Sequence, residues 1–162
     1  MENINQNCNQ NPPKKDFSKR TEVDSFYSVH PFNPKWITVG ADNDLVTFVE
    51  AAGQYMAPLS KFDKQKLSAS QIRNVYGEMK RIQLKIKKDE DWKNSEPYQL
   101  FMLLKPKVAY AEGRNRTMGL TLFKKIFDSA WENVENVSSY NNFCNMIEAI
   151  LAYHKAYGGK DN

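Results

Sequence analysis

Residues 68–86 read SASQIRNVYGEMKRIQLKI, and this stretch decides the fold class. Ser68 and Gln71 have the three-residue spacing of a capping box, in which each side chain pairs with a backbone N–H of the other residue at a helix start. Apolar residues then recur every three or four positions, at Ile72, Val75, Tyr76, Met79, Ile82 and Ile86. This periodicity predicts an amphipathic helix of about five turns.

The chain on either side of this helix predicts four more helices. Each has a capping residue before its apolar stripe, and three of the four have a stop signal after it. They begin at Asp42 or Asn43, at Ser95, at Thr117 and at Ser138 or Ser139, and they end before Pro58, at Gly113, after Val134 and at Gly158-Gly159. No stretch alternates as a strand does. We therefore expect an all-α fold, an antiparallel bundle of about five helices with a disordered N-terminal tail.

The third of these predicted helices contains Pro106 in its interior. A proline there removes one backbone hydrogen bond and costs about 3 kcal/mol in a regular helix. We therefore expect a kink or a break near Lys105.

The first 41 residues lack helical periodicity. Residues 1–20 are rich in Asn and Gln and predict a disordered tail, because they offer little apolar surface to offset the entropy of ordering. Residues 21–41 are rich in aromatic side chains, but Pro31 and Pro34 are expected to break any helix there. The predicted organisation is a tail (1–20), an irregular aromatic-rich segment (21–41) and a helical domain (42–162).

Charge is distributed unevenly along the chain. Residues 61–125 contain 16 Lys and Arg against 7 Asp and Glu, whereas the segments before and after them are net acidic. A basic block between acidic flanks favours a surface that binds polyanions, although a Lys-rich helix is more often only a solvated face.

The hydropathy of the chain argues against a membrane protein. The mean hydropathy is −0.69, and no run approaches the roughly 18–20 apolar residues that a membrane span needs. The N-terminus lacks the basic start and apolar stretch of a secretory signal. A cytoplasmic location is the resulting expectation.

Few residues suit catalysis or metal binding. The two histidines, His30 and His154, have no neighbour at a ligand spacing, and His154 lies on the apolar stripe of the last helix, where a hydrogen-bonded packing role is expected. Cys8 and Cys144 are too few and too differently placed for a disulfide framework or a zinc site. We predict no enzymatic activity, no cofactor and no metal.

The remaining candidates are cationic. Basic side chains occupy the outer face of the second helix, the surroundings of Pro106 and the connector after Gly113. The candidate RNA-binding residues are Arg73, Lys80, Arg81, Lys105, Lys107, Arg114 and Arg116. Simpler roles compete with this interpretation, because Lys80 could only keep a helix soluble and Arg114 could only satisfy carbonyls at a helix end.

Three sequence blocks, taken together, resemble one family. They are LSASQIR at 67–73, LKPKVAYAEGR at 104–114, and FC at 143–144 with EAILAYHKAYGGKD at 148–161. In this order they resemble the small subunit of type III-A CRISPR effector (Csm) complexes. The resemblance covers roughly residues 42–162 and leaves the first 40 residues unexplained.

The resemblance implies a small all-helical protein without catalytic activity. It would contact the backbone of guide and target RNA within a ribonucleoprotein, beside other Csm subunits and copies of itself. By position, the family's motifs fall on Ser70 to Arg73 and on Tyr110, Gly113 and Arg114, which makes Arg73 and Arg114 the best candidate contacts. Lys107 matches the basic position of the middle block, whereas Lys80, Lys105 and Arg116 rest on charge and helical geometry. The alternative is a helical protein-interaction module that does not bind RNA directly.

Overall fold

The computed structural model describes residues 17–58, 66–88 and 91–159, with side chains from Glu22 onward. These ranges form helices and connecting turns and contain no strand, so the all-α prediction is confirmed. The helices are α1 (Phe17–Val29), α2 (Lys35–Thr38), α3 (Asn43–Met56), α4 (Ala69–Lys85), α5 (Glu96–Met102), α6 (Leu104–Arg114), α7 (Met118–Trp131) and α8 (Val137–Ala156), with a 3₁₀ turn at Trp92–Asn94.

The bundle is organised around α3 and α8, which form its most extensive helix pair. Helix α7 packs on α3 and α6, and α4 packs on α5, α6 and α8. An aromatic cluster fills the space where α5, α7 and α8 meet, and its buried rings are Phe101, Phe127, Tyr140 and Phe143. The Tyr140 hydroxyl donates to the Met79 carbonyl at 2.8 Å, which ties α8 to α4 inside the core.

Four predicted helix starts are confirmed by their hydrogen bonds. In three of them the side chain of the cap accepts a hydrogen bond from an otherwise unpaired N–H of the first turn. In the fourth, the capping-box partner Gln71 accepts from the N–H of the cap itself. The pairs are Leu45 N–H to Asp42 Oδ1 (2.8 Å), Ser68 N–H to Gln71 Oε1 (2.8 Å), Tyr98 N–H to Ser95 Oγ (3.2 Å) and Leu120 N–H to Thr117 Oγ1 (3.1 Å).

The predicted start of the last helix is wrong by two residues or less. The helix begins at Val137, rather than at Ser138 or Ser139, and Asn136 is its cap. Asn136 Oδ1 accepts from the Ser139 N–H at 2.9 Å, and Ser139 Oγ accepts from the Asn136 N–H at 3.0 Å. This reciprocal pairing places Ser139 in the first turn as the partner of the cap.

The predicted break near Lys105 is confirmed. Helix α5 ends at Met102 and α6 begins at Leu104, so Leu103 separates them. Pro106 is the third residue of α6, where a backbone N–H has no partner within the helix. The proline therefore lies where a helix tolerates it.

The prediction of an irregular segment at 21–41 is wrong for most of its length. Helix α1 ends at Val29, before Pro31, and Pro34 lies at the cap of α2. The prolines therefore bound two helices instead of preventing them. The predicted disordered tail, 1–20, is wrong at its end, because residues 17–20 form the first turn of α1. Residues 1–16 lie outside the described residues.

Within the described ranges, no helix combines the length and the apolar character that crossing a membrane requires.

Two close helix contacts depend on glycine. A Cβ at Gly53 of α3 would lie 2.5 Å from the Cβ of Tyr153 and 2.7 Å from the backbone nitrogen of His154, both in α8. A Cβ at Gly119 of α7 would lie 2.4 Å from the backbone nitrogen of Leu67. These contacts are too close for a side chain, so glycine sets the separation of α3 from α8 and the approach of α7 to the connector before α4.

Replacing these glycines should therefore destabilise the fold. We expect Gly53→Ala to lower the free energy of unfolding by about 1–3 kcal/mol, since backbone atoms must shift. Gly77→Ala is the matched control, because nothing lies within 4 Å of its added Cβ, and it should raise stability by about 0.5–1 kcal/mol through helix propensity. Urea denaturation measures both, and equal stability of the two variants would contradict the close α3–α8 contact.

The broken helix gives a second test. Leu104 is 1% exposed and anchors the start of α6, so Leu104→Ala should cost about 2–5 kcal/mol as a core truncation. Pro106 is exposed in the same turn, and Pro106→Ala should change stability by less than about 1 kcal/mol. Thermal melts with the reverse order would show that the buried face of α6 is assigned wrongly.

Candidate functional site

An open groove between α4 and α6 brings together two of the blocks that carry the family resemblance. Ser70 and Gln71 line one wall, and Lys107, Tyr110 and Arg114 line the other. The groove has a volume of about 790 Å³, which is large enough for a small ligand or a segment of polymer chain. Two of the predicted site residues, Lys107 and Arg114, therefore share one concave surface.

The α6 wall follows from the periodicity of the helix. Lys107, Tyr110 and Arg114 are spaced by three and four residues, so they lie on one face. Leu104 and Val108 point to the core side of the helix and are each 1% exposed. Because Leu104 and Val108 are buried, the face with Lys107, Tyr110 and Arg114 is directed towards the groove.

The α4 wall is built in the same way. Ser70, Asn74 and Glu78 are separated by four residues each and line the groove together. Asn74, Glu78 and the connector residue Asn115 were not among the predicted site residues. The four-residue spacing from Ser70 is the signal that could have identified the first two.

Arg114 and Tyr110 are exposed side chains of the groove. Tyr110 is 70% exposed. Among the residues that the structure describes, no carboxylate lies within ion-pair distance of Arg114, and no aromatic ring contacts that of Tyr110. Both side chains are therefore open to an external ligand.

Glu78 places a negative charge inside this basic groove. Its Oε2 lies 3.5 Å from Lys107 Nζ, and its Oε1 lies 2.9 Å from Arg81 Nη1. The predicted site residues Lys107 and Arg81 thus share one carboxylate. Ion pairs this exposed contribute about 0–1 kcal/mol, so a phosphate can compete with Glu78 for either cation.

Lys80 and Lys105 lie outside the groove and connect helices. Lys80 Nζ donates to Glu148 Oε2 at 2.6 Å, joining α4 to α8. This hydrogen bond raises the pKa of Lys80 and lowers the pKa of Glu148. Lys105 Nζ donates to Glu132 Oε1 at 3.0 Å and lies 4.6 Å from the centre of the Trp131 ring. Both lysines therefore have structural contacts that an RNA ligand would have to replace.

Arg116 neutralises a buried carboxylate. Its Nε lies 2.9 Å from Oε1 of Glu112, a residue that is only 8% exposed. Thr121 Oγ1 donates to the same oxygen at 3.2 Å. Because an unpaired buried charge is costly, Arg116 serves to hold the connector between α6 and α7.

Arg73 does not share the groove with Arg114. It lines a separate, smaller cleft between α4 and the end of α8, together with Tyr76, Lys155 and Gly159. The two arginines that the resemblance favours as RNA contacts therefore lie in different clefts.

His154 and Cys144 are buried in packing roles. His154 is 2% exposed, and its Nε2 donates to the Leu67 carbonyl at 2.8 Å, which confirms the expected packing histidine. Burial raises the pKa of the Cys144 thiol to about 11, so it is protonated and weakly nucleophilic at neutral pH. Within the described ranges, no three His, Cys, Asp or Glu side chains are placed to hold one metal ion.

Comparison with known proteins finds one family. Residues 42–160 match the family described as Csm2 Type III-A, and neither the curated proteins nor the solved structures contain a match. The matched range begins at the cap of α3 and contains both walls of the groove, whereas α1 and α2 precede it. The match spans most of the chain and confirms the resemblance: the chain belongs to the Csm2 family and is a component of the type III-A CRISPR complex.

Proposed function

We propose that this chain is a non-catalytic RNA-binding subunit and that its α4–α6 groove contacts the phosphate backbone of the guide or target RNA. The observation that carries the proposal is the placement of Lys107 and Arg114 on one exposed helix face inside the groove. Arg114 has no carboxylate partner among the described residues. A guanidinium so placed can form two parallel hydrogen bonds with a phosphate.

Backbone contacts suit a subunit that serves many guide sequences. Phosphate contacts set position and register without reading bases, and pairing between guide and target supplies the sequence specificity. In an A-form duplex the deep major groove cannot be read by side chains, so the backbone and the 2′-hydroxyls are the accessible features. Lys107 and Arg114 match this requirement.

The non-catalytic assignment is supported by the surroundings of the reactive side chains. His154 donates its Nε2 proton to a backbone carbonyl in the core, and Cys144 is buried and protonated. Neither group lies in the groove. The proposed role is binding and scaffolding, with repeated copies of the chain adding weak contacts along the RNA.

Neutralising the groove should weaken RNA binding. We expect Lys107→Gln with Arg114→Gln to remove two phosphate contacts, and so to reduce the slope of log K against log salt by about 1.4–1.8. The loss should be similar for unrelated sequences, since the backbone carries no base information. Fluorescence anisotropy of a labelled guide–target duplex with the full chain, at several salt concentrations, measures this slope.

The matched control removes two charges elsewhere. Lys35 and Lys93 are exposed and lie outside the groove, so Lys35→Gln with Lys93→Gln should leave the slope within about 0.5 of the parent value. Equal losses in both double variants would mean that net charge alone governs binding. No loss in either would contradict RNA contact through this groove.

A protein-interaction role is the second candidate, because several apolar side chains are exposed. Leu84 is 88% exposed, Leu103 is 55% exposed and Met102 is 39% exposed. Other Csm subunits are partners of this family, and these side chains would suit such contacts. An affinity for the assembled complex that does not change with ionic strength would favour this role over phosphate binding.

A further inference from the structure

We infer that the α4–α6 groove holds one unpaired nucleotide, with its base stacked on the Tyr110 ring and its phosphate bound by Arg114. This inference rests on the proposed RNA-binding function, which by itself requires only backbone contacts. It adds a distinct ligand, an extrahelical or single-stranded nucleotide, and a distinct residue, Tyr110.

Tyr110 is the side chain that backbone binding leaves unexplained. It lies in the middle of α6 with 70% of its surface exposed. Tyr157 is also exposed, but its hydroxyl donates to Glu50 at 2.7 Å. In the part of the chain that the structure describes, Tyr110 has no hydrogen bond, ring contact or cation above it. An aromatic face presented in this way is the platform on which proteins stack nucleobases.

The charges around Tyr110 fit the rest of a nucleotide. Lys107 precedes it by one helical turn, and Arg114 follows it by one turn. Side chains four residues apart on a helix have Cβ atoms about 5–6 Å apart. A base on the Tyr110 ring therefore has its own phosphate within reach of Arg114, and the preceding or following phosphate within reach of Lys107.

The facing wall and the end of α6 supply hydrogen-bonding groups for a base edge or a 2′-hydroxyl. Asn74 and Asn115 line the groove and are exposed, and neither side chain bonds to another described residue. Each amide offers two donors and an acceptor. The Gln71 amide oxygen instead accepts from the Ser68 N–H, so that side chain serves the helix start.

The nucleotide must be unpaired for this arrangement to work. Inside an A-form duplex both faces of every base are covered by neighbouring bases, and only the backbone can reach the groove. A bulged or single-stranded nucleotide exposes its π-face and its pairing edge together. Tyr110 should therefore contribute to binding only when such a nucleotide is present.

The test compares two guide–target duplexes that differ by one bulged 2-aminopurine nucleotide. Base–aromatic stacking changes affinity by about five- to a hundred-fold on truncation of the ring. We expect the full chain to bind the bulged duplex more tightly by a factor in this range and to quench the 2-aminopurine fluorescence. Tyr110→Ala should lose both effects, whereas Tyr110→Phe should keep them because it retains the ring.

The fully paired duplex separates this inference from the proposed function. Tyr110→Ala should bind it as the parent does, and its melting temperature should be unchanged because the side chain is exposed. If Lys107→Gln with Arg114→Gln weakens binding to both duplexes while Tyr110→Ala affects neither, the backbone contact stands and the nucleotide site is wrong.

Three further outcomes would overturn the site. An equal loss on both duplexes in Tyr110→Ala would make Tyr110 a sugar–phosphate contact. The same loss in Tyr110→Phe would assign the effect to the hydroxyl. Unchanged RNA preference with reduced incorporation of Tyr110→Ala into the assembled complex would identify a neighbouring subunit as the occupant.

Discussion

The hydrogen bonds of Leu67 fix the start of α4, and the groove depends on where α4 begins. The Leu67 N–H donates to the Met56 carbonyl at 3.0 Å, and its carbonyl accepts from His154 Nε2 at 2.8 Å. A carbonyl oxygen can only accept, so His154 must carry its proton on Nε2. The absent side chain of Gly119 lets α7 approach the same backbone. Helices α3, α7 and α8 thus converge on one residue, and α4 starts directly after it with the Ser68 capping box. The wall formed by α4 is therefore positioned by the core.

Ion pairing decides which cations remain available for a ligand. The middle of the chain is strongly basic, yet Lys80, Lys105 and Arg116 are engaged by Glu148, Glu132 and Glu112. Lys107 lies 3.5 Å from Glu78, longer than the roughly 2.7–2.9 Å of a charge-assisted hydrogen bond, so that pair is weak. A pair this long is readily exchanged for phosphate, whereas the Lys80 and Lys105 pairs are shorter and the Arg116 contact protects a buried carboxylate. The length and burial of these ion pairs, and not the net charge of residues 61–125, therefore decide that the cations of the α6 wall are the ones available to a ligand.

Local interactions explain what the sequence could predict, and distant ones explain what it could not. Capping boxes, the broken helix at Pro106 and the apolar stripes depend on residues within a few positions, so they could be predicted. Helix α1 was missed because its stability comes from distant partners: the Phe26 ring lies 6.1 Å from that of Phe48 and 5.5 Å from that of Tyr55. The candidate site residues were predicted from residue type, helical spacing and the family resemblance. Its division into a groove with Arg114 and a separate cleft with Arg73 depends on how α6 and α8 pack on α4, which periodicity alone does not encode.

The N-terminal helices precede the range matched by the family, yet they are an integral part of the fold. Val23 and Phe26 are 2% and 8% exposed, and burying such side chains contributes about 1.5–3 kcal/mol each. That is a sizeable share of the roughly 5–15 kcal/mol of net stability of a typical domain. Helix α1 packs on α7 and α2 packs on α8, and Asn142 of α8 donates to the Ile37 carbonyl at 2.9 Å. Helix α7 in turn supports α6, and α8 supports α4. Helices α1 and α2 therefore reinforce the two helices behind the groove, and neither of them lines it.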